Sequence, residues 1–326
     1  MTHPVLGIDI AKLTFDACLI RPDGSLRHRQ RFPNSATGFA QLAQWLAKHL
    51  ATTDGLHACL EATSTYANAL ARHLHDAPHH VSLVNPARIH DYGKSRLTRT
   101  KTDKTDAELI ARFCLTQVPA GWTPPAPDIS ELQALVRHFE VLAAARQQHL
   151  NQLETATSAL VRDSLATLIE HLERQLAEVE AAIPRHIEQH PGLRADAALL
   201  VSIPGVGART AARLLAEVVQ LKEFKSARQA AAYAGLSPQQ RESGTSVRGR
   251  PRLSKTGNAR VRKALYLPAV VAKRYNPVVN ALCLRLAARG KPPMVQVGAA
   301  MRKLLHLAYG VLKSRKPFDP NYAHAA

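Results

Sequence analysis

An α/β domain on a mixed sheet, then a helical segment, then a basic and mainly α-helical domain, is what this 326-residue sequence predicts. Three observations carry the prediction. Short apolar runs alternate with helical patterns over residues 1–118. Residues 130–192 show only the three-and-four apolar spacing of paired helices. The net charge of +18 is split into −1 over residues 1–200 and +19 over residues 201–326. A neutral front and a strongly basic back suggest catalysis in one and polyanion capture in the other.

The elements follow in order. Residues 4–20 read as a strand, Arg21-Pro22-Asp23-Gly24 as a hairpin turn and Ser25–Phe32 as the returning strand, so the sheet is mixed. Phe39, Leu42, Leu46 and Leu50 mark a helix. A strand ends at Glu61, a helix runs from about Thr65 to His75, and Val81–Val84 is a short buried strand stopped by Asn85-Pro86. A helix from Thr102 to Leu115 closes the first domain. The Pro-rich stretch at 119–129 is a linker.

In the segment 130–192 the seam runs through Leu132, Leu135, Phe139 and Leu142, then Leu165, Leu168, Leu172, Leu176, Val179, Ile183 and Ile187. This spacing fits an antiparallel coiled-coil hairpin. Pairing with another protomer is favoured over packing on its own domain alone, and RNA contact is a further role open to the segment. The domain 193–326 reads as short helices between basic loops. Its string Ser202-Ile203-Pro204-Gly205-Val206-Gly207-Ala208-Arg209 resembles a helix–hairpin–helix turn, where Gly205 and Gly207 let helix amides approach a phosphate.

Cys18, Cys59, Cys114 and Cys283 are widely separated with no C-x-x-C pair, which argues for a reducing compartment and against a zinc ribbon or disulfide framework. No leader and no run of membrane-spanning length stands out, so a cytoplasmic protein with no membrane partner is expected.

Four acids carry the chemistry. Asp9 and Glu61 sit at or near the ends of buried strands, and Asp103 and Asp106 are three apart on one helix face. Gathered carboxylates repel one another unless they hold a hard cation such as Mg²⁺. Two such ions form the clamp used for in-line attack on phosphodiesters. Sugar kinases and actin-like ATPases also begin on Gly-Ile-Asp, but they need glycine-rich phosphate loops in a second, similar half. Here the second half is basic and helical, so a ribonuclease-H-like domain leads. Asp16, at the far end of the first strand, is a weaker candidate ligand and reads as structural.

Lys94, Arg96, Arg99, Lys101 and Lys104 lead into the Asp pair. Beside a metal site they are expected to guide a nucleic-acid backbone. A second basic cluster holds Arg241, Arg248, Arg250, Arg252, Lys255, Arg260, Arg262 and Lys263, with small residues between them that let backbone approach phosphate. Ser243 lies inside it. On residue chemistry alone, phosphate hydrogen bonding is favoured for this serine over nucleophilic attack, which needs activation.

Gly7-Ile8-Asp9-Ile10-Ala11-Lys12, Leu60-Glu61-Ala62-Thr63 and Lys101-Thr102-Asp103-(x2)-Asp106-Ala107 resemble motifs of the DEDD-type insertion-sequence transposases. So do Ile203-Pro204-Gly205-Val206-Gly207, Ala234-Gly235-Leu236-Ser237-Pro238 and Glu242-Ser243-Gly244-(x2)-Val247-Arg248-Gly249. Ser64 departs from the glycine common there. The resemblance spans nearly the whole chain. It implies a RuvC-like N-terminal domain with Asp9, Glu61, Asp103 and Asp106 as catalytic metal ligands for two Mg²⁺ ions. It also implies a C-terminal transposase domain with Ser243 as catalytic nucleophile. Members are bridge-RNA-guided recombinases that join one protomer's metal site to another's serine, in a tetramer holding donor and target DNA.

The reading is a site-specific DNA recombinase of an insertion sequence, dimeric and then tetrameric in the synaptic complex. The rivals are a junction-resolving nuclease that uses the same acids with water, and a non-enzymatic nucleic-acid-binding protein.

Overall fold

The computed structural model describes residues 3–21, 23, 27–50, 56–62, 66–77, 79–95, 103–218, 221, 223–243 and 247–321; at 27, 103–105, 241–243, 247, 248, 250 and 251 it describes the backbone alone. The chain divides into two compact units, Met1–Pro124 and Pro125–Ala326.

The first unit is a five-stranded mixed sheet in the order β3-β2-β1-β4-β5, from β1 (Val5–Ile10), β2 (Thr14–Ile20), β3 (Arg27–Pro33), β4 (His57–Glu61) and β5 (His80–Val84). β1, β2 and β3 are antiparallel neighbours, whereas β1, β4 and β5 run parallel. This arrangement is compatible with the ribonuclease-H-like domain expected. Helices α1 (Ala36–His49), α2 (Ala67–Asp76), α3 (Pro86–Ser95) and α4 (Asp103–Gln117) cover it.

Alternation sorts the strand residues between two cores. Leu6, Ile8, Ile10, Phe15, Ala17 and Leu19 pack with α1 and α2. Val5, Cys18, Ile20, Cys59 and Val84 pack with α3 and α4. Ser35 caps α1, its side chain accepting from Gly38 N at 3.4 Å.

One expectation is corrected here. Residues 4–20 form two strands folded back on each other, with Ala11 N donating to Thr14 O at 2.9 Å across the turn. The turn Ala11-Lys12-Leu13 contains no Gly, Pro, Asn or Asp, so nothing in its composition punctuates the run. Of the expected turn 21–24, Pro22 and Gly24 lie outside the described residues, as do Ser25 and Thr65.

The stretch Pro119–Trp122 lies along β5. Trp122 N donates to Val81 O at 2.6 Å, and Ser82 Oγ bonds with the carbonyls of Pro119 (3.0 Å) and Ala120 (2.8 Å). Beneath it His57 Nε2 sits 2.8 Å from Ser82 Oγ. Burial, helped by the neighbouring His80, pushes the His57 pKa down from 6.5 to about 4. The folded unit therefore keeps His57 neutral, and the unfolded chain binds more protons between those values. Stability from this residue is fully present above pH 6.5 and is lost as pH falls towards 4. Both tryptophans, Trp45 and Trp122, lie in this unit. Their fluorescence should report a lower melting temperature at pH 5 than at pH 7, and His57→Gln should reduce that difference.

The second unit begins with α5 (Pro127–Thr155) and α6 (Ala159–Gln189), an antiparallel pair of long helices. At 1.5 Å per residue they are about 44 and 46 Å long. Leu132, Val136, Ile169, Leu172 and Ile187 are buried, whereas Leu168 is 40% exposed and Leu160 80%.

There follow α7 (Pro191–Val201), α8 (Ala208–Glu217), α9 (Ala227–Tyr233), β6 (Pro238–Ser243), β7 (Val247–Leu253), α10 (Ala259–Tyr275), α11 (Pro277–Ala288) and α12 (Pro293–Ser314). α12 packs on α7, α9, α10 and α11, and α5 on α8. Ile203, Leu214, Leu265, Ala269, Leu304 and Leu305 sit at the centre of this core. The expected run of short helices and basic loops is corrected: α10 and α12 are 17 and 22 residues long, and in the basic stretch β6 and β7 pair antiparallel.

Candidate active site and nucleic-acid interface

The four acids are positioned by the sheet and one helix. β1 and β4 pair Ile8 with Leu60 in parallel register, so Asp9 and Glu61 stand level on the same face at the C-terminal ends of the two strands. That face is the one α4 covers. Cys114, near the far end of α4, approaches the carbonyl of His57 at the start of β4, with Sγ 3.8 Å from the oxygen. Ala107 O and Ala111 N lie over Gly7. α4 therefore runs antiparallel to β1 and β4, and its first turn points towards the level of Asp9 and Glu61.

The helical and strand rises put numbers on this. Measured from Gly7, Asp9 is about 6.6 Å further along the strand. From the point of α4 above Gly7, Asp106 is about 4.5 Å and Asp103 about 9 Å further along the helix. Asp9 falls between them.

Gly7 makes this approach sterically feasible. A Cβ there would lie 2.2 Å from Ala111 N and 2.3 Å from Ala107 O. Neither backbone atom can move without shifting the helix. Gly7→Ala is expected to cost about 2–3 kcal/mol or more of stability and to reduce activity by displacing the acids on α4. A thermal melt with a recombination assay checks both.

Asp9, Glu61 and Asp106 are half-buried, and the side chain of Asp103 lies outside the described residues. Among the described side chains, no three of His, Cys, Asp or Glu come together closely enough to hold an ion as they stand. In kind and in shared placement the acids suit a hard divalent cation such as Mg²⁺, which prefers oxygen donors. Both α4 acids also lie in its first turn, where the helix dipole favours negative charge.

Among the described residues, two further acids share this face. Asp16 is the direct cross-strand partner of Asp9. It is 7% exposed and receives Arg31 Nε at 3.0 Å and Nη2 at 2.7 Å, both on Oδ2. Glu108 on α4 is ion-paired with Arg29 and Arg112. Arg29 and Arg31 both come from the edge strand β3.

Of the first basic cluster, Lys94 is exposed in the last turn of α3. Arg96, Arg99 and Lys101 lie outside the described residues, as does the side chain of Lys104.

Ser243 is the last residue of β6 and pairs with Val247 across the hairpin, with Glu242 opposite Arg248 and Arg241 opposite Gly249. The side chains of Ser243, Arg241, Arg248 and Arg250 are outside the described residues; those of Arg252, Lys255 and Lys263 are exposed. The base of the hairpin is clasped by the Ala234–Pro238 motif. Asn258 N donates to Tyr233 O at 2.7 Å, Lys255 N to Gly235 O at 3.2 Å and Ser254 N to Ser237 O at 2.9 Å. Gly257, at φ +137°, leaves no room for a Cβ, which would meet Tyr233 O at 2.2 Å.

Among the described side chains, two residues of the second basic cluster are engaged internally. Arg262 Nη1 donates to Ala234 O at 2.9 Å and Gly257 O at 3.3 Å. Arg260 lies 3.3 Å from the buried Glu217, which also receives Arg137 Nε at 2.8 Å and Nη2 at 3.2 Å. Burial alone would raise the Glu217 carboxyl. Hydrogen bonds and charge from Arg137, then the charge of Arg260, outweigh it and hold the group below its ordinary value. Sequence reasoning passed over Glu217. Its one signal was being among the four acids in a stretch with +19 net charge.

Gly207 caps α8 in extended conformation with open space around it. Gly205, at φ +99°, lies against Ala272 of α10. Among the described residues no helix is long and apolar enough to cross a membrane.

A DEDD-type transposase family model matches residues 6–161, and a model described as the transposase IS116/IS110/IS902 family matches residues 197–283. The chain is 36% identical to the pilin gene-inverting protein of Moraxella bovis, with 98% of each chain covered. It is also 36% identical to the pilin gene-inverting protein of Moraxella lacunata, again over 98% of each. Identity to the transposase for insertion sequence element IS1328 of Yersinia enterocolitica is 28%, covering 80% of this chain and 81% of that one. The chain belongs to the IS116/IS110/IS902 family of transposases and is a DNA-recombining enzyme.

Proposed function

We propose that the protein is a site-specific recombinase that nicks and exchanges DNA strands, with divalent ions at Asp9, Glu61, Asp103 and Asp106 and Ser243 as nucleophile, guided by a bridge RNA. The observation that carries the metal half is the antiparallel run of α4 over β1 and β4, which brings the Asp103/Asp106 turn to the end of the sheet where Asp9 and Glu61 stand. Divalent ions bound there would supply Lewis-acid stabilisation to the phosphodiester under attack. The carboxylates orient them, and the basic residues on the approach to α4, Lys94 among them, bring the phosphodiester backbone in.

The serine half is supported by its location. Ser243 ends a strand of a hairpin whose base is fixed by the Gly235 and Gly257 contacts, and basic residues flank it on both strands. Arg241, Arg248 and Arg250 would stabilise charge gathered on the attacked phosphate. Arg252, Lys255 and Lys263, all exposed, would hold the neighbouring backbone. Arg260 and Arg262, engaged within the protein, would instead shape that surface.

The guide RNA rests on the family resemblance; the +19 charge of residues 201–326 suits a polyanion, DNA or RNA alike. Purified protein is expected to carry an RNA whose sequence pairs with the ends of the mobile element and with its insertion site. Full recombination after that RNA is digested would remove the guide from the account.

The helical hairpin is proposed to join protomers. Its inner seam is occupied by the α5–α6 pair, so the surface for a partner is the exposed set Leu160, Val161 and Leu168. Leu160→Glu with Leu168→Glu should shift sedimentation to smaller species while leaving helicity unchanged. Wild-type oligomers in that variant would return the hairpin to a role within its own unit.

A further inference from the structure

We infer that the Arg31–Asp16 ion pair is a positioning element of the metal site, fixing how strongly and where divalent ions bind by neutralising a fifth carboxylate beside Asp9. The inference rests on the assignment of Asp9 as a metal ligand.

The geometry comes from strand register. Asp16 is the cross-strand partner of Asp9, and Arg31 is the partner of Asp16. Asp9 is in turn level with Glu61 on its other side. One row across four strands therefore reads Arg31, Asp16, Asp9, Glu61, all on the face covered by α4. Direct partners in an antiparallel pair have Cα atoms about 4.5–5.5 Å apart. A bare carboxylate at position 16 would stand close enough to Asp9 to attract the same ion.

The charge arithmetic explains why the pair is needed. Four ligand carboxylates carry a formal −4, which two divalent ions balance. Asp16 would take the row past that balance and offer a competing oxygen. Arg31 places both Nε and Nη2 on Asp16 Oδ2, so that charge is engaged before an ion arrives. The edge strand repeats the device one step along, where Arg29 pairs with Glu108 of α4. Arginines from β3 thus meet Asp16 and Glu108, acids of this face outside the ligand set.

The inference requires the two partners to act with opposite sign. Asp16→Asn keeps shape and leaves the Arg31 cation beside the site, so divalent affinity should fall. Arg31→Gln exposes the Asp16 charge, so affinity should rise while strand exchange slows, because an ion drawn towards position 16 is displaced. The double variant Asp16→Asn/Arg31→Gln should return to within about twofold of wild type, and Arg31→Lys should stay near it. Each single shift should be on the order of tenfold, the scale of one charge acting on a divalent ion across several ångströms at intermediate dielectric.

The test is a Mn²⁺ titration of the full-length protein without DNA, reading free Mn²⁺ by electron paramagnetic resonance, with Asp9→Asn as reference. Opposite shifts in the single variants, cancelling in the double, are the expected result. If Arg31→Gln fails to fold, the step from Asp16→Asn to the double variant carries the same information, and affinity should recover across it. Weaker binding in both single variants, or no recovery in the double, would overturn the inference while Asp9→Asn still loses the ion and leaves the metal assignment standing. Unchanged binding in Asp9→Asn would instead remove the metal assignment, and this inference with it.

Discussion

Asp9→Asn is expected to abolish strand exchange while leaving the fold intact, and Glu61→Gln, Asp103→Asn and Asp106→Asn should do the same. Each change keeps the side chain's shape and removes one oxygen ligand's charge. Several kcal/mol of transition-state stabilisation are at stake, on the order of a thousandfold or more in rate. The amides keep the packing volume of the acids they replace, so stability without metal should hold. That pairing of lost activity with retained stability separates a ligand from a packing residue. Gly7→Ala, which acts on the same site by displacing α4, should lose both. Recombination by Asp9→Asn at the wild-type rate with Mg²⁺ as the only metal would withdraw that residue.

Ser243→Ala should lose strand cleavage and exchange yet still bind RNA and DNA. If the serine attacks, its oxygen bonds to phosphorus as the bond to the leaving sugar oxygen breaks. The resulting ester conserves the phosphodiester energy for religation without a high-energy cofactor. One hydroxyl contributes little to affinity on a surface this basic, so binding should survive. Neutralising Arg248, Arg250 and Arg252 should do the reverse. Affinity should fall for all sequences, and its salt slope should flatten by roughly 0.7–0.9 log unit per lost phosphate contact. An unchanged slope would mean the hairpin does not face phosphate.

The mixed α/β character of the first unit was legible in the sequence because its turns, apolar runs and helical spacings agree. The break in residues 4–20 was not, and it hid a neighbour of the site. Read as one uninterrupted strand, residues 4–20 put Asp16 at the far end from Asp9. Folded back through Ala11-Lys12-Leu13, the same two residues become direct partners.

The β6–β7 hairpin was illegible for a different reason. Arg, Gln and Pro dominate its strands: β6 carries no apolar alternation, and in β7 the residues between the arginines are Val247, Gly249, Pro251 and Leu253, of which the middle two offer little apolar surface by which a buried face is read. What fixes it is the meeting of Tyr233 and Gly235 with the 254–258 turn, a contact between segments some twenty residues apart. The helical seam was readable as spacing. Spacing alone could not say that Leu172 would be spent inside the hairpin while Leu160 and Leu168 stayed at the surface.

Wild-type protein, with its RNA, Mg²⁺ and DNA carrying the element's ends, is quenched with denaturant midway through reaction and run on a denaturing gel. A DNA-linked protein band should appear, be absent with Ser243→Ala, and be absent with Asp9→Asn if the ions assist the attack. Full cleavage by Ser243→Ala, with no linked band from wild type, would contradict the serine nucleophile and leave a nuclease that uses water at the same four acids.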